Sequence, residues 1–146
     1  MKHDIKTLET AAADAIGGRN GHSETTDHSV KADLSVRKGM GGPALPNTTT
    51  PEHLFAAGYA ACFNGAIDFV ASQKKMSVKN TKVHCDVAIG PREGGGFGVG
   101  VKMTVHDDTI PHAQLVELAQ TAHDDICPYS HATRGNIPFE LIVKGA

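Results

Sequence analysis

Apolar positions change period several times along this chain of 146 residues, and each change marks an element. Residues 5–16 are alanine-rich and on propensity alone predict a helix. Gly17-Gly18-Arg19-Asn20-Gly21 predicts a turn, because Gly-Gly and Asn-Gly adopt positive φ at little cost. A polar strand is expected over about residues 22–29, then one in which Val30, Ala32, Leu34 and Val36 alternate with polar residues. The Gly/Pro/Thr-rich stretch from Gly39 to Thr49 predicts a long loop, and connections of that length often carry function.

The next segment has a clear helical start. Thr50 is placed to cap, Pro51 suits the first helical position, and Glu52 suits the positive end of the helix dipole. From Leu54 to Val70 the run is apolar on nearly every side, with charge only at Asp68, which predicts a centrally buried helix. Its small residues, such as Ala57, Gly58, Ala61 and Gly65, permit close approach by a neighbour. Val83, Cys85, Val87 and Ile89 then alternate with Lys82, His84 and Asp86, as in a half-buried strand. Gly94-Gly95-Gly96 turns the chain into a returning strand from Phe97 to Val105. Pro111 opens a second helix with Leu115, Leu118, Ala119, Ala122 and Ile126 at helical spacing, and Pro128 ends it. A last strand runs from Ile137 to Val143. This order predicts one α+β domain over residues 1–146, with antiparallel sheet packed on two helices.

Composition narrows the functional classes. A net charge of −2 and a pI near 6.5 argue against nucleic acid and anionic membranes as partners. Met1-Lys2-His3-Asp4 shows no charged-then-apolar leader, and no apolar run is read as long enough to span a bilayer, so the cytoplasm is the expected compartment. Three cysteines without framework spacing fit a transient or catalytic pair better than a disulfide scaffold.

Cys62 sits in the apolar helix and Cys127 where the second helix stops. A helical buried cysteine is usually a small hydrophobe, and Cys85, facing with Val83 and Val87, reads as packed core. Two thiols able to meet would form a redox couple, although they are not a CxxC pair. A thiol reacts as its thiolate, so a reactive pair needs a nearby cation, and Arg19 can supply it. Glu52 can orient that arginine through a bidentate pair; a solvated turn arginine and a dipole-favoured carboxylate are the plainer readings. Glu52, Phe55, Tyr59 and Cys62 share one helix face, yet ten residues of helix span about 15 Å, too far for one arginine to bridge easily. A composite site at a twofold interface, with Glu52 and Cys62 from different subunits, answers that difficulty. Nine histidines raise the question of metal; His123 and Cys127 are four apart, but no third ligand is spaced to join them. Arg134 with Gly135-Asn136 reads as a turn whose charge satisfies nearby carbonyls or a carboxylate, and Tyr129 and Ser130 are placed either to position Cys127 or to serve capping and turn roles.

Two of these segments, Phe55-Ala56-Ala57-Gly58-Tyr59-Ala60-Ala61-Cys62-Phe63 and Cys127-Pro128-Tyr129-Ser130-His131-Ala132-Thr133-Arg134-Gly135-Asn136, resemble the organic hydroperoxide resistance branch of the OsmC/Ohr family. Arg19 in its glycine turn and Glu52 at the helix start complete the pattern. The resemblance implies a strand, not a helix, over residues 5–16, and an intertwined homodimer with composite active sites. It implies Cys62 as peroxidatic and Cys127 as resolving cysteine, with Arg19 and Glu52 assisting. No bound cofactor is implied; the external reductant is dihydrolipoamide or a lipoylated protein. An apolar lining from Phe55, Tyr59, Phe63 and Ile67 would suit alkyl or fatty-acyl hydroperoxides. Departures are Thr49, His53 and His131, together with one apparent extra residue in Ala122 to Ile126, which either rotates Cys127 or is absorbed in a bulge. Alternative readings are an OsmC-branch peroxidase of different peroxide preference and a non-catalytic redox-sensing or ligand-binding dimer.

Overall fold

The computed structural model describes residues 5–146; the reading of Met1 to Asp4 lies outside the described residues. The chain divides into two compact units, residues 1–51 and 52–146.

The first unit is a three-stranded antiparallel sheet of β1 (Ala13–Ile16), β2 (His22–Thr25) and β3 (Lys31–Asp33). The strand expected over residues 5–16 is present only in its last four residues. The β1–β2 turn takes the form its glycines foretell: Gly17 and Gly18 have φ of 80° and 61°, and Gly18–Asn20 forms one 3₁₀ turn carrying Arg19. A side chain at Gly21 would come within 1.9 Å of the Ile16 carbonyl oxygen.

In the second unit, α1 (Pro51–Gln73) packs against a sheet ordered β4 (Lys82–Pro91), β5 (Phe97–His106), β6 (Phe139–Lys144). Alternate residues Val101, Met103 and Val105 of the central strand are buried, and they meet Tyr59, Phe63, Ile67 and Val70 of α1 and Leu115, Leu118 and Ala119 of α2 (His112–Thr121). The all-antiparallel expectation is corrected at one pair. β6 runs parallel to β5, because the helices between them carry the chain back to the starting end of the sheet.

Burial of α1 is one-sided, not central as the composition suggested. Ala57, Ala61, Gly65, Asp68, Phe69 and Ser72 form an exposed stripe at steps of three and four. Length and composition also correct the reading that no apolar run could span a bilayer: α1 has 23 residues and a window of mean hydropathy 1.4. A core helix meets the same criterion, and the opposite face of α1 is core.

The end of the second helix holds the other departure. After α2, residues Ala122–Ile126 form a π turn, closed by the Cys127 amide donating to the Ala122 carbonyl at 2.8 Å. A π turn holds one residue more than an α turn. Of the two outcomes expected for this stretch, the bulge is present, as that π turn. Pro128 then begins a third helix, α3 (Pro128–Thr133), as well as ending the second.

Asp107 ties the strand ends together. Its carboxylate accepts from the Thr81 hydroxyl at 2.6 Å, the Thr109 amide at 2.8 Å and the Thr109 hydroxyl at 2.6 Å, while its amide donates to the Lys144 carbonyl. Burial raises its pKa, but these donors outweigh burial and hold it below its ordinary value. Stability from this carboxylate is thus present near neutrality and is lost as pH falls through its depressed folded value. Asp107→Ala should lower the unfolding free energy by about 3 kcal/mol at pH 7. The variant's stability should also decline less steeply than wild type below about pH 4. Urea denaturation across pH measures both, and parallel pH curves would contradict the assignment.

Candidate active site

Two free thiols meet in the second unit. Cys62, on α1, is half-buried, and Cys127, at the start of α3, is 1% exposed. Their Sγ atoms are 3.7 Å apart, with the Cys127 thiol donating. The first turn of α3 serves both sulfurs: the Ser130 amide donates to Cys127 Sγ at 3.5 Å, and the Tyr129 amide donates to Cys62 Sγ. Cys127 has the extended conformation (φ −66°, ψ 117°) that a following proline favours.

Burial pushes the Cys62 thiol up, the Tyr129 amide acts in the opposite direction, and the Cys127 thiol adds to the rise. The pair is therefore well placed for disulfide closure, while the surroundings of Cys62 oppose its ionisation. Cys85 is different. It packs at the edge of the core with no amide donor, and burial first, then Asp86, pushes its thiol up to about 11.

Rings frame the thiols. Tyr129, 41% exposed, stacks on Phe55 with centroids 6.2 Å apart and lies 5.8 Å from Tyr59. Gly58 faces the Tyr129 ring, where a Cβ would sit 3.4 Å away, at the limit of ordinary van der Waals contact. Of the four residues expected to line a substrate pocket, Tyr59, Phe63 and Ile67 are fully buried and only Phe55 keeps partial exposure. Glu52 lies in the first turn of α1, ten residues before Cys62, and Arg19 is half-buried in the 3₁₀ turn of the first unit.

Sequence reasoning missed a buried polar network under the thiols. The Tyr59 hydroxyl is 2.9 Å from Ser130 Oγ and 3.0 Å from Thr133 Oγ1, and His123 Nδ1 is 2.9 Å from Ser130 Oγ. Arg134 donates to the His123 carbonyl at 2.7 Å, which is the carbonyl-satisfying role expected of it. The available signal was a close run of hydroxyls, Tyr129, Ser130 and Thr133, a short distance after His123. Among the described residues no cluster of three or more His, Cys, Asp or Glu side chains is arranged to hold a metal.

An OsmC-like protein family model matches residues 42–142. The chain belongs to the OsmC-like family. Proteins named organic hydroperoxide resistance protein are among those it resembles. The organic hydroperoxide resistance protein of Xanthomonas axonopodis pv. citri is 44% identical over 97% of this chain and 98% of its own length. The OhrB protein of Bacillus subtilis is 37% identical, over 94% of this chain and 98% of its own. The crystal structure of an organic hydroperoxide resistance protein from Elizabethkingia anophelis superposes with a TM-score of 0.89 at 40% identity, covering 97% of this chain and all of that one. In this family member both cysteine segments lie at the meeting of α1 and α3.

The thiol environments give a direct test. In the Cys62→Ser/Cys127→Ser double variant, alkylation of Cys85 by iodoacetamide should keep accelerating past pH 10, with a midpoint near 11. A midpoint near the ordinary thiol value of 9.0 would contradict the burial assigned to Cys85.

Proposed function

We propose that this protein reduces organic hydroperoxides to alcohols by a two-cysteine cycle. The observation that carries the reading is the 3.7 Å approach of two free thiols under consecutive backbone amides. The Cys62 thiolate attacks the terminal peroxide oxygen, the O–O bond breaks, and the alkoxide leaves as alcohol after taking a proton. Cys62 is left as a sulfenic acid. The Cys127 thiolate then attacks Cys62 Sγ, the S–O bond breaks, and hydroxide departs as water to give the disulfide. An external dithiol, dihydrolipoamide or a lipoylated protein, resets the pair by exchange and is itself oxidised to the cyclic disulfide. No bound cofactor is needed, and a reducing cytoplasm suits thiols that must return to the reduced state.

The raised pKa of Cys62 bears on the rest of the reading. A buried thiol with one amide donor still needs a cation to ionise near neutrality. Arg19 is the residue proposed to supply it, also stabilising the departing alkoxide, with Glu52 orienting the guanidinium. We place this site in a homodimer. The exposed stripe of Ala57, Ala61 and Gly65, continued by Phe69 at 49% exposure, supports close antiparallel packing of two α1 helices. Such packing would let Glu52 of one subunit serve Cys62 of the other. Phe55 and Tyr129 are the rings proposed to meet the substrate's alkyl chain, with buried Tyr59, Phe63 and Ile67 as the floor behind them.

Steady-state turnover of tert-butyl hydroperoxide with dihydrolipoamide tests the reading. Cys62→Ser should abolish turnover, and Cys127→Ser should stop turning over with Cys62 trapped as sulfenic acid or, after a second peroxide, overoxidised to sulfinic acid. Arg19→Ala should lower kcat/KM by roughly a hundredfold or more. Cumene hydroperoxide should exceed hydrogen peroxide in kcat/KM by at least about tenfold, the value of burying one apolar group. Full activity in Cys62→Ser, or no turnover of wild type with any dithiol, would leave a binding or redox-sensing domain instead.

A further inference from the structure

The two-cysteine cycle leaves one buried ionisable side chain without a task. His123 lies in the π turn, 9% exposed, with its ring stacked on Phe139 at a centroid distance of 4.1 Å. Its Nδ1 reaches Ser130 Oγ, which reaches the Tyr59 hydroxyl, which reaches Thr133 Oγ1, and that hydroxyl is 3.4 Å from the Ser130 carbonyl. Each hydroxyl has one proton to give. All four contacts are therefore made together in one direction only: His123 Nδ1–H to Ser130, Ser130 to Tyr59, Tyr59 to Thr133, Thr133 to the carbonyl. The charged groups around the ring are Asp124 beside it and Arg134, whose guanidinium holds the His123 carbonyl. Burial lowers the His123 pKa, Asp124 opposes and Arg134 adds to the lowering, so the neutral ring is the form that holds the chain.

Ser130 is the pivot of this chain. Its side chain is clamped by His123 and Tyr59, while its own amide holds Cys127 Sγ and the preceding amide holds Cys62 Sγ. The disulfide requires the sulfurs to close to about 2.05 Å, with Cys127 aimed along the S–O bond that breaks. We propose that His123 is a positioning residue for the resolving step: through Ser130 it holds the first turn of α3 so that Cys127 closes on oxidised Cys62. It moves no proton to or from the peroxide. The inference rests on the two-cysteine reading.

The test is a single pulse of one equivalent of tert-butyl hydroperoxide, with peroxide loss and Cys62–Cys127 disulfide formation timed separately by acid quench. His123→Phe keeps a ring against Phe139 but removes the hydrogen bond. His123→Asn loses the ring but puts an amide where Nδ1 stood. In His123→Phe, disulfide formation should slow about tenfold, as expected for one buried hydrogen bond, with Cys62 sulfenic acid persisting correspondingly longer and first-turnover peroxide loss unchanged. His123→Asn should stay within about twofold of wild type. Disulfide formation at the wild-type rate in His123→Phe would overturn the inference and mean space-filling alone, and His123→Asn as slow as His123→Phe would overturn it too, because restoring the hydrogen bond would then restore nothing. Should His123→Phe fail to fold, Ser130→Ala removes the same link without added bulk and is read by the same outcomes. A wild type that consumes peroxide without forming the disulfide overturns this inference and the resolving role of Cys127. One that consumes none overturns the peroxidase reading as well.

Discussion

Pro128 constrains Cys127, and the geometry of the thiol pair follows from that constraint. A residue before proline is driven to extended backbone, so Cys127 leaves the π turn and becomes the cap of α3. Proline has no amide hydrogen, so the first donors of α3 are the amides of Tyr129 and Ser130. Those two consecutive donors are directed at two different sulfurs, one on α1 and one on the cap itself. The pair is thus assembled by a single turn of backbone, with the π turn setting where that turn begins.

Holding thiols and activating them are separate problems here. Burial raises the pKa of Cys62 and more so that of Cys85, so the apolar setting that shelters the pair works against thiolate formation. A cation brought to Cys62 alone would leave Cys85 protonated. Cys127, 1% exposed, is shielded from solvent beside Cys62. The same burial explains why the turn beneath it is satisfied by side-chain hydroxyls and a neutral histidine: an unpaired polar group there would cost about 1–3 kcal/mol.

Local signals in the sequence were read well where local chemistry decides. The glycines around Arg19 demanded a turn, Pro51-Glu52 began α1, and alternation in β4 placed Cys85 against the core. Features set by distant partners were not legible. The parallel pairing of β6 with β5 depends on where the intervening helices return the chain. The exposed stripe of α1 reads in composition like any other face of an apolar helix. A bulge before Cys127 was one of two readings, and its form as a π turn depended on packing. His123 attracted notice for standing four residues from Cys127, yet its partner is Ser130, seven residues away across the turn.

The central claim is that Cys62 and Cys127, and not Cys85, form one redox couple. The most direct test is to treat reduced protein with one equivalent of organic hydroperoxide, quench with an alkylating agent and map the peptides by mass spectrometry without reduction. The account predicts the Cys62 and Cys127 peptides joined by a disulfide and Cys85 alkylated. Cys85 in the disulfide, or Cys62 as sulfinic acid with Cys127 alkylated, would contradict it.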